Sequence, residues 1–217
     1  NIDDKASCEG QENTYEITAA EATLPNENSS IRCLQFYGSL EDIQAEEGDI
    51  CSQARCRPEN RVLVLPQGTF RAADTGGEFT FFPNIGFTDQ TVQVYYTITD
   101  NYGKTSSGNY IKLLIKESPE PVSIVAVGVE ENTNEIRLCA GAPVILKAVG
   151  EEVYVKFEWY RDDILIPNSD LPQISAILPG TYKVIAYNSK SCPTESQGFT
   201  LINPAFPSLV ITNPVVG

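Results

Sequence analysis

The chain of 217 residues contains no histidine. Without the commonest general base, Ser-His-Asp and Cys-His catalysis are excluded, and the commonest metal ligand is lost with it. Composition does not exclude a carboxylate pair of the glycosidase kind, because 29 acidic residues always offer pairs. Basic residues are scarce: 15 against those 29 give a formal charge of −14, and the first 60 positions hold 13 acidic and 4 basic side chains. Such a surface repels phosphate backbones and anionic lipid, so no nucleic-acid partner is expected. Long apolar runs are missing as well. The longest, "VSIVAVGV" at 122 to 129, is far too short to cross a bilayer, so no membrane insertion is expected. No signal peptide opens the chain, which reads as an internal or mature piece of an exported protein.

What is present reads as β-structure. The 15 glycines and 14 prolines fall between short runs rich in Val, Ile, Thr, Tyr and Phe, and long amphipathic helices are absent. Two sandwiches in tandem are the expected all-β architecture. "KESPEPVSI", 116 to 124, sets a boundary, and a second proline cluster, "INPAFPSLVITNP", follows the last strand of the second half. The expected units are residues 1 to 118, residues 119 to 203, and a linker with the first strand of a following module over 204 to 217.

In the second half "GAPVILKA" alternates with Val144, Leu146 and Ala148 on one face, and "VYVKFEWY" is expected to place Val153, Val155, Phe157 and Trp159 together. "LPGTYKVIAYN" begins at a Pro-Gly turn and lines up Tyr182, Val184 and Ala186. Trp159, the single tryptophan, poses the central question of whether its ring is a core pin or an exposed platform for a ligand.

These three stretches resemble the B strand, C strand and E-to-F corner of an immunoglobulin-like domain. The resemblance makes Trp159 the buried C-strand tryptophan and Tyr182 the corner tyrosine whose hydroxyl bonds back to the chain. Ala148 and Val184 stand where antibody domains carry their inter-sheet cysteines. The cadence "LCAGAPVILKA…FEWYRDDILI…LPGTYKVIAYNSKSC" is similar to Ig-like modules of large secreted surface proteins of gliding Bacteroidetes, including SprB-like mobile adhesins exported by the type IX route. Within this module Cys139 is expected to pair with Cys192. In the first half, "GEFTFFPNIGFTDQTVQVYYTITDNYGKTSS" resembles the closing strands of cadherin-like bacterial repeats. That resemblance implies a possible calcium site at Asp100 and Asn101 of "TDNYG"; otherwise no cofactor is expected. Tyr95, Tyr102, Tyr110 and Phe87 are candidates for an exposed sugar or protein contact.

Residues 1 to 60 show few clear strands and one short helix near "SLEDIQAEE", with Ser39 as cap and Asp42 at its third position. The six cysteines, without a metal-finger spacing, point to an oxidising compartment outside the cytosol, and four of them, Cys8, Cys33, Cys51 and Cys56, lie in this stretch. Four cysteines allow three connectivities; Cys8 with Cys33 and Cys51 with Cys56 is the favoured one. The functional expectation is a non-enzymatic, extracellular, cell-surface segment: a structural spacer, with adhesive modules for surface attachment or gliding. Its partners would be neighbouring modules of the same chain and a glycan or protein ligand on an extracellular surface. The alternative is a carbohydrate-binding accessory region of a secreted polysaccharide-degrading enzyme.

Overall fold

The structure, a computed structural model, describes residues 2–24, 28–46, 56–129, 133–139 and 142–203. The chain divides into two compact units, Asn1–Ser118 and Pro119–Gly217. Each has its own apolar core.

The first unit contains β1 (Ile2–Cys8), β2 (Asn13–Glu16), β3 (Ile31–Tyr37), α1 (Leu40–Glu46), a 3₁₀ turn (Pro58–Arg61), β4 (Val62–Leu65), β5 (Gly68–Ala72), β6 (Glu78–Pro83), β7 (Thr91–Asp100) and β8 (Asn109–Lys116). Its two four-stranded sheets run in the orders β1-β8-β7-β3 and β2-β6-β5-β4. The alternation in "TVQVYYTI" turns Val92, Val94, Tyr96 and Ile98 inward. They meet Phe70, Phe79 and Phe81 of the facing sheet, where Phe70 and Phe81 stack with ring centroids 4.2 Å apart. Gly77 is needed where Ile17 donates its N–H to the Gly77 carbonyl: a Cβ there would sit 2.1 Å from the Ile17 carbonyl oxygen.

Three strands of this unit lie in the cysteine-rich stretch where the sequence showed few. β3 does not alternate, because Cys33, Leu34, Gln35, Phe36 and Tyr37 are all buried. Its inner face joins the core, and α1, whose Ile43 is buried, packs close to it. β1 pairs in parallel with β8, more than a hundred residues away, so no local pattern announces it. The helix forms as expected: Ser39 N–H donates to Asp42 Oδ2 (2.9 Å) and Asp42 N–H to Ser39 Oγ (3.2 Å), a reciprocal capping box.

The second unit contains β9 (Ser123–Ala126), β10 (Glu135–Arg137), β11 (Val144–Val149), β12 (Lys156–Arg161), β13 (Ile164–Leu165), β14 (Gln173–Ala176), β15 (Gly180–Tyr187), β16 (Pro193–Glu195) and β17 (Phe199–Ile202). One sheet has the order β14-β11-β9; the other runs β10-β17-β15-β12-β13, with β16 also paired to β15. The opening segment thus changes sheets: β9 pairs antiparallel with β11, whereas β10 pairs parallel with β17. One sequence expectation is corrected here. Val153 and Val155 are exposed, because regular pairing starts only at Lys156. Tyr154 turns inward instead, its ring edge-on to Phe157 at 6.2 Å.

Candidate functional site

Trp159 is fully buried in the core of the second unit, with Ala148, Val184, Leu146 and Phe199 in the same cluster. Its indole Nε1 donates to the Leu171 carbonyl (3.0 Å), and its backbone N–H donates to Ser169 Oγ (3.1 Å). No part of the ring faces solvent, so it offers a ligand nothing to stack on. Tyr182 is buried at the corner before β15 turns into the sheet, and its hydroxyl donates four residues upstream to the Leu178 carbonyl (2.8 Å). Ala148 and Val184 lie in the same core cluster, Val184 directly across the strand pair from Trp159, and neither position carries a disulfide.

The cysteines differ from expectation. Cys33 is bonded to Cys56, with Cα atoms 5.9 Å apart, which replaces the expected pairs of Cys8 with Cys33 and Cys51 with Cys56. The bridge ties β3 to the approach of the 3₁₀ turn, two segments that fold against each other although 23 residues separate them. Cys139 is a free, exposed thiol, so it is not the partner of Cys192, which is itself disulfide-bonded, as is Cys8. Cys51 lies outside the described residues.

At "TDNYG" the Asp100 carboxylate is buried and closes its own turn: Oδ1 accepts from the N–H groups of Tyr102 (2.9 Å) and Lys104 (2.8 Å). Asn101 Oδ1 accepts the Ser30 N–H (2.9 Å). Among the described residues no group of three or more Asp, Glu or Cys side chains is placed to hold a metal ion. Of the four candidate contact aromatics, Tyr102 is exposed, and Tyr95 and Tyr110 are half-buried cross-strand neighbours on β7 and β8. Phe87 packs against the first core instead.

The arrangement that sequence reading passed over lies on the other side of the tryptophan strand. Since Phe157 and Trp159 point inward, Lys156, Glu158 and Tyr160 point outward, beside Tyr187, Ile185 and Lys183 of β15; Glu195 of β16 lies opposite Ile185. Tyr160 and Tyr187 both donate their hydroxyls to Glu158 Oε2 (3.2 and 3.0 Å), and Lys156 Nζ reaches Oε1 (2.6 Å). That lysine, with these hydroxyls, holds the Glu158 carboxyl below the usual range. Partial burial, then the bond to Glu158, pushes the Tyr187 phenol up to about 12. Lys183 bridges Glu195 (3.1 Å) and Asp163 (3.3 Å), and these two partners raise its ammonium pKa. Tyr160, Asp163, Lys183, Ile185 and Glu195 line a shallow open pocket of about 260 Å³.

No family model and no curated protein matches the chain. Among solved structures it is similar in part to the fibronectin(III)-like modules of Clostridium thermocellum CbhA: 10% identity, TM-score 0.37, covering 94% of this chain and 92% of that one. A structure addressing Dscam isoform specificity aligns at 10% identity and a TM-score of 0.30, and the human desmocollin-1 ectodomain at 13% and 0.26. These cover 92% and 96% of this chain but only 44% and 36% of theirs. Likeness at these levels carries no function across. The sheets and their order make the chain an all-β pair of modules, each built of two sheets around its own apolar core.

Proposed function

We propose that the chain is a non-enzymatic segment of an exported surface protein, in which the two sandwiches act as spacers and as adhesive modules in surface attachment or gliding. The observation that supports this most is how little free chain separates the units. On the first unit, Ser118 Oγ donates to the Glu9 carbonyl (2.5 Å) and accepts from Gln11 Nε2 (3.0 Å). On the second, Glu120 N–H donates to Glu152 Oε2 (3.0 Å), Tyr154 hydroxyl is shared by the carbonyls of Glu120 (3.0 Å) and Pro121 (3.1 Å), and Val122 is buried in the core. Between these anchorages stands Pro119, whose ring fixes φ near −65°. So short a connection suits modules strung in series as spacers, not a chain that must open and close around a substrate.

The test is a pulsed EPR distance measurement between spin labels at Glu78→Cys and Lys147→Cys, in a Cys139→Ser background. A narrow distribution is expected, broadening when Pro119→Gly is added. A distribution already broad with Pro119 in place contradicts the spacer reading.

A further inference from the structure

We propose that the outer face of β12, β15 and β16 binds a neutral hexopyranose chain. This goes beyond the spacer reading and stands whether or not the joint is stiff. A sugar chain presents two chemistries at once: C–H faces that pack on flat apolar surface, and hydroxyls that need both donors and acceptors. The face supplies both. Ile185 and the Tyr160 ring form the apolar part of the pocket, and Lys183, Asp163 and Glu195 stand around it.

The groups are held in place before any ligand arrives, which lowers the ordering cost of binding. Tyr160 and Tyr187 are fastened at their hydroxyls to the same Glu158 oxygen, so neither ring is free to swing. One face of Tyr187 is taken by Lys156, whose Nζ lies 4.5 Å from the ring centroid. Tyr160 is therefore the ring left for a sugar. Asp163 is placed by an unusual hairpin turn in which Asp162 and Asp163 both have positive φ, 49° and 61°, at positions where Asn-Gly is the easy choice. Asp162 locks that turn onto β15 by donating its N–H to the Thr181 carbonyl and accepting the Thr181 N–H at Oδ1, both at 2.9 Å. The turn thus accepts backbone strain at the place where it brings a carboxylate to Lys183.

Lys183 uses two of its three N–H donors on Glu195 Oε1 and Asp163 Oδ1, which leaves one donor and the second oxygen of each carboxylate for sugar hydroxyls. From the Lys156–Tyr187 pair to the Tyr160–Lys183 pair is four residues of strand, roughly 13 Å, enough for a short oligosaccharide. Charge selects the class. Three carboxylates face two ammonium groups here, on a chain of formal charge −14, so uronate and sulfated chains are repelled and neutral ones are not.

Isothermal titration calorimetry on the whole chain tests this, with cellohexaose, maltohexaose and mannohexaose as neutral probes and hexagalacturonate as the acidic one. Saturable one-to-one binding of at least one neutral hexaose is expected, with no heat from hexagalacturonate. Glu195→Ala and Tyr160→Ala should each weaken it by about tenfold or more, the effect of losing a hydrogen bond to a charged group or the stacking ring. Glu195 is exposed, so its variant must melt as the parent does and remains informative if Tyr160→Ala folds poorly. Tyr110→Ala, on the tyrosine pair of the other unit, should change nothing. The proposal is overturned if no neutral hexaose binds, if the Glu195 variant binds as the parent does, or if binding depends on Tyr110.

Discussion

Replacing Val184 by alanine probes the closed core of the second unit while leaving its natural reporter intact. Val184 is fully buried and sits directly across the strand pair from Trp159. The substitution removes two methyl groups worth about 0.8 kcal/mol each in transfer free energy. The space left, on the order of 50 Å³ if the walls do not collapse, adds about 1 kcal/mol at the usual cost per unit of cavity volume. A loss of about 2–3 kcal/mol follows, which for a unit of this size lowers the urea midpoint by roughly 1–2 M. Trp159 is the only tryptophan and lies in the second unit, so its emission, red-shifting as the indole meets water, reports that unit alone. Ile177→Ala is the control: the side chain is 67% exposed and its loss should stay within about 0.5 kcal/mol. If Val184→Ala moves the midpoint no further than Ile177→Ala, the space beneath the indole is not the closed core described, and the inward reading of Trp159 fails.

Removing the Cys33–Cys56 bridge as a double alanine variant frees a loop of 23 residues in the unfolded chain and should cost the first unit about 3 kcal/mol. Calorimetry should show its transition fall while the Trp159 midpoint stays; equal shifts in both would refute an effect confined to that unit. Tyr187 titrates near 12 instead of 10.0, so the fold favours its neutral phenol. The stability this contributes is complete below the unfolded value of 10.0 and is lost as pH rises through the folded value of about 12. Glu158→Gln removes the charge and alters the bond while leaving burial, the larger cause, so the phenol should ionise earlier yet still above 10.0, read as the absorbance difference against Tyr187→Phe. An unmoved titration would break the link to Glu158.

The second unit was the more legible because its strands alternate cleanly and its turns carry Pro-Gly and Asp-Asp marks. Trp159 and Tyr182 lie where the inward positions of "FEWY" and "GTYKVIA" put them. Reading only those inward positions hid the outward ones: the same alternation presents Glu158, Tyr160, Lys183 and Ile185 as one surface, but only the pairing of β12 with β15 shows that they are neighbours. Val153 and Val155 misled because two valines in alternation look like strand, whereas pairing at that point is limited to one bond from Val155 N–H to the Tyr187 carbonyl. In the first 60 residues the pattern failed for a different reason. β3 is buried on both faces and β1 has a distant parallel partner, and neither circumstance leaves a period-two trace. The cysteine connectivity was likewise set by which segments come together in space, and spacing along the chain does not encode it.

The parallel pairing of first and last strands has a mechanical consequence. In a parallel ladder the chain enters at one end and leaves at the other, so a pull on both ends of the first unit drags β1 and β8 past each other lengthwise. Every hydrogen bond between them then bears load together, where an antiparallel pair pulled from one end would open rung by rung. In the second unit the last strand, β17, also has a parallel partner, but it is the second strand, β10, while the first, β9, pairs antiparallel with β11. Stretched along the chain, the first unit thus meets the load on its β1–β8 ladder in shear, with all the rungs of that ladder engaged at once.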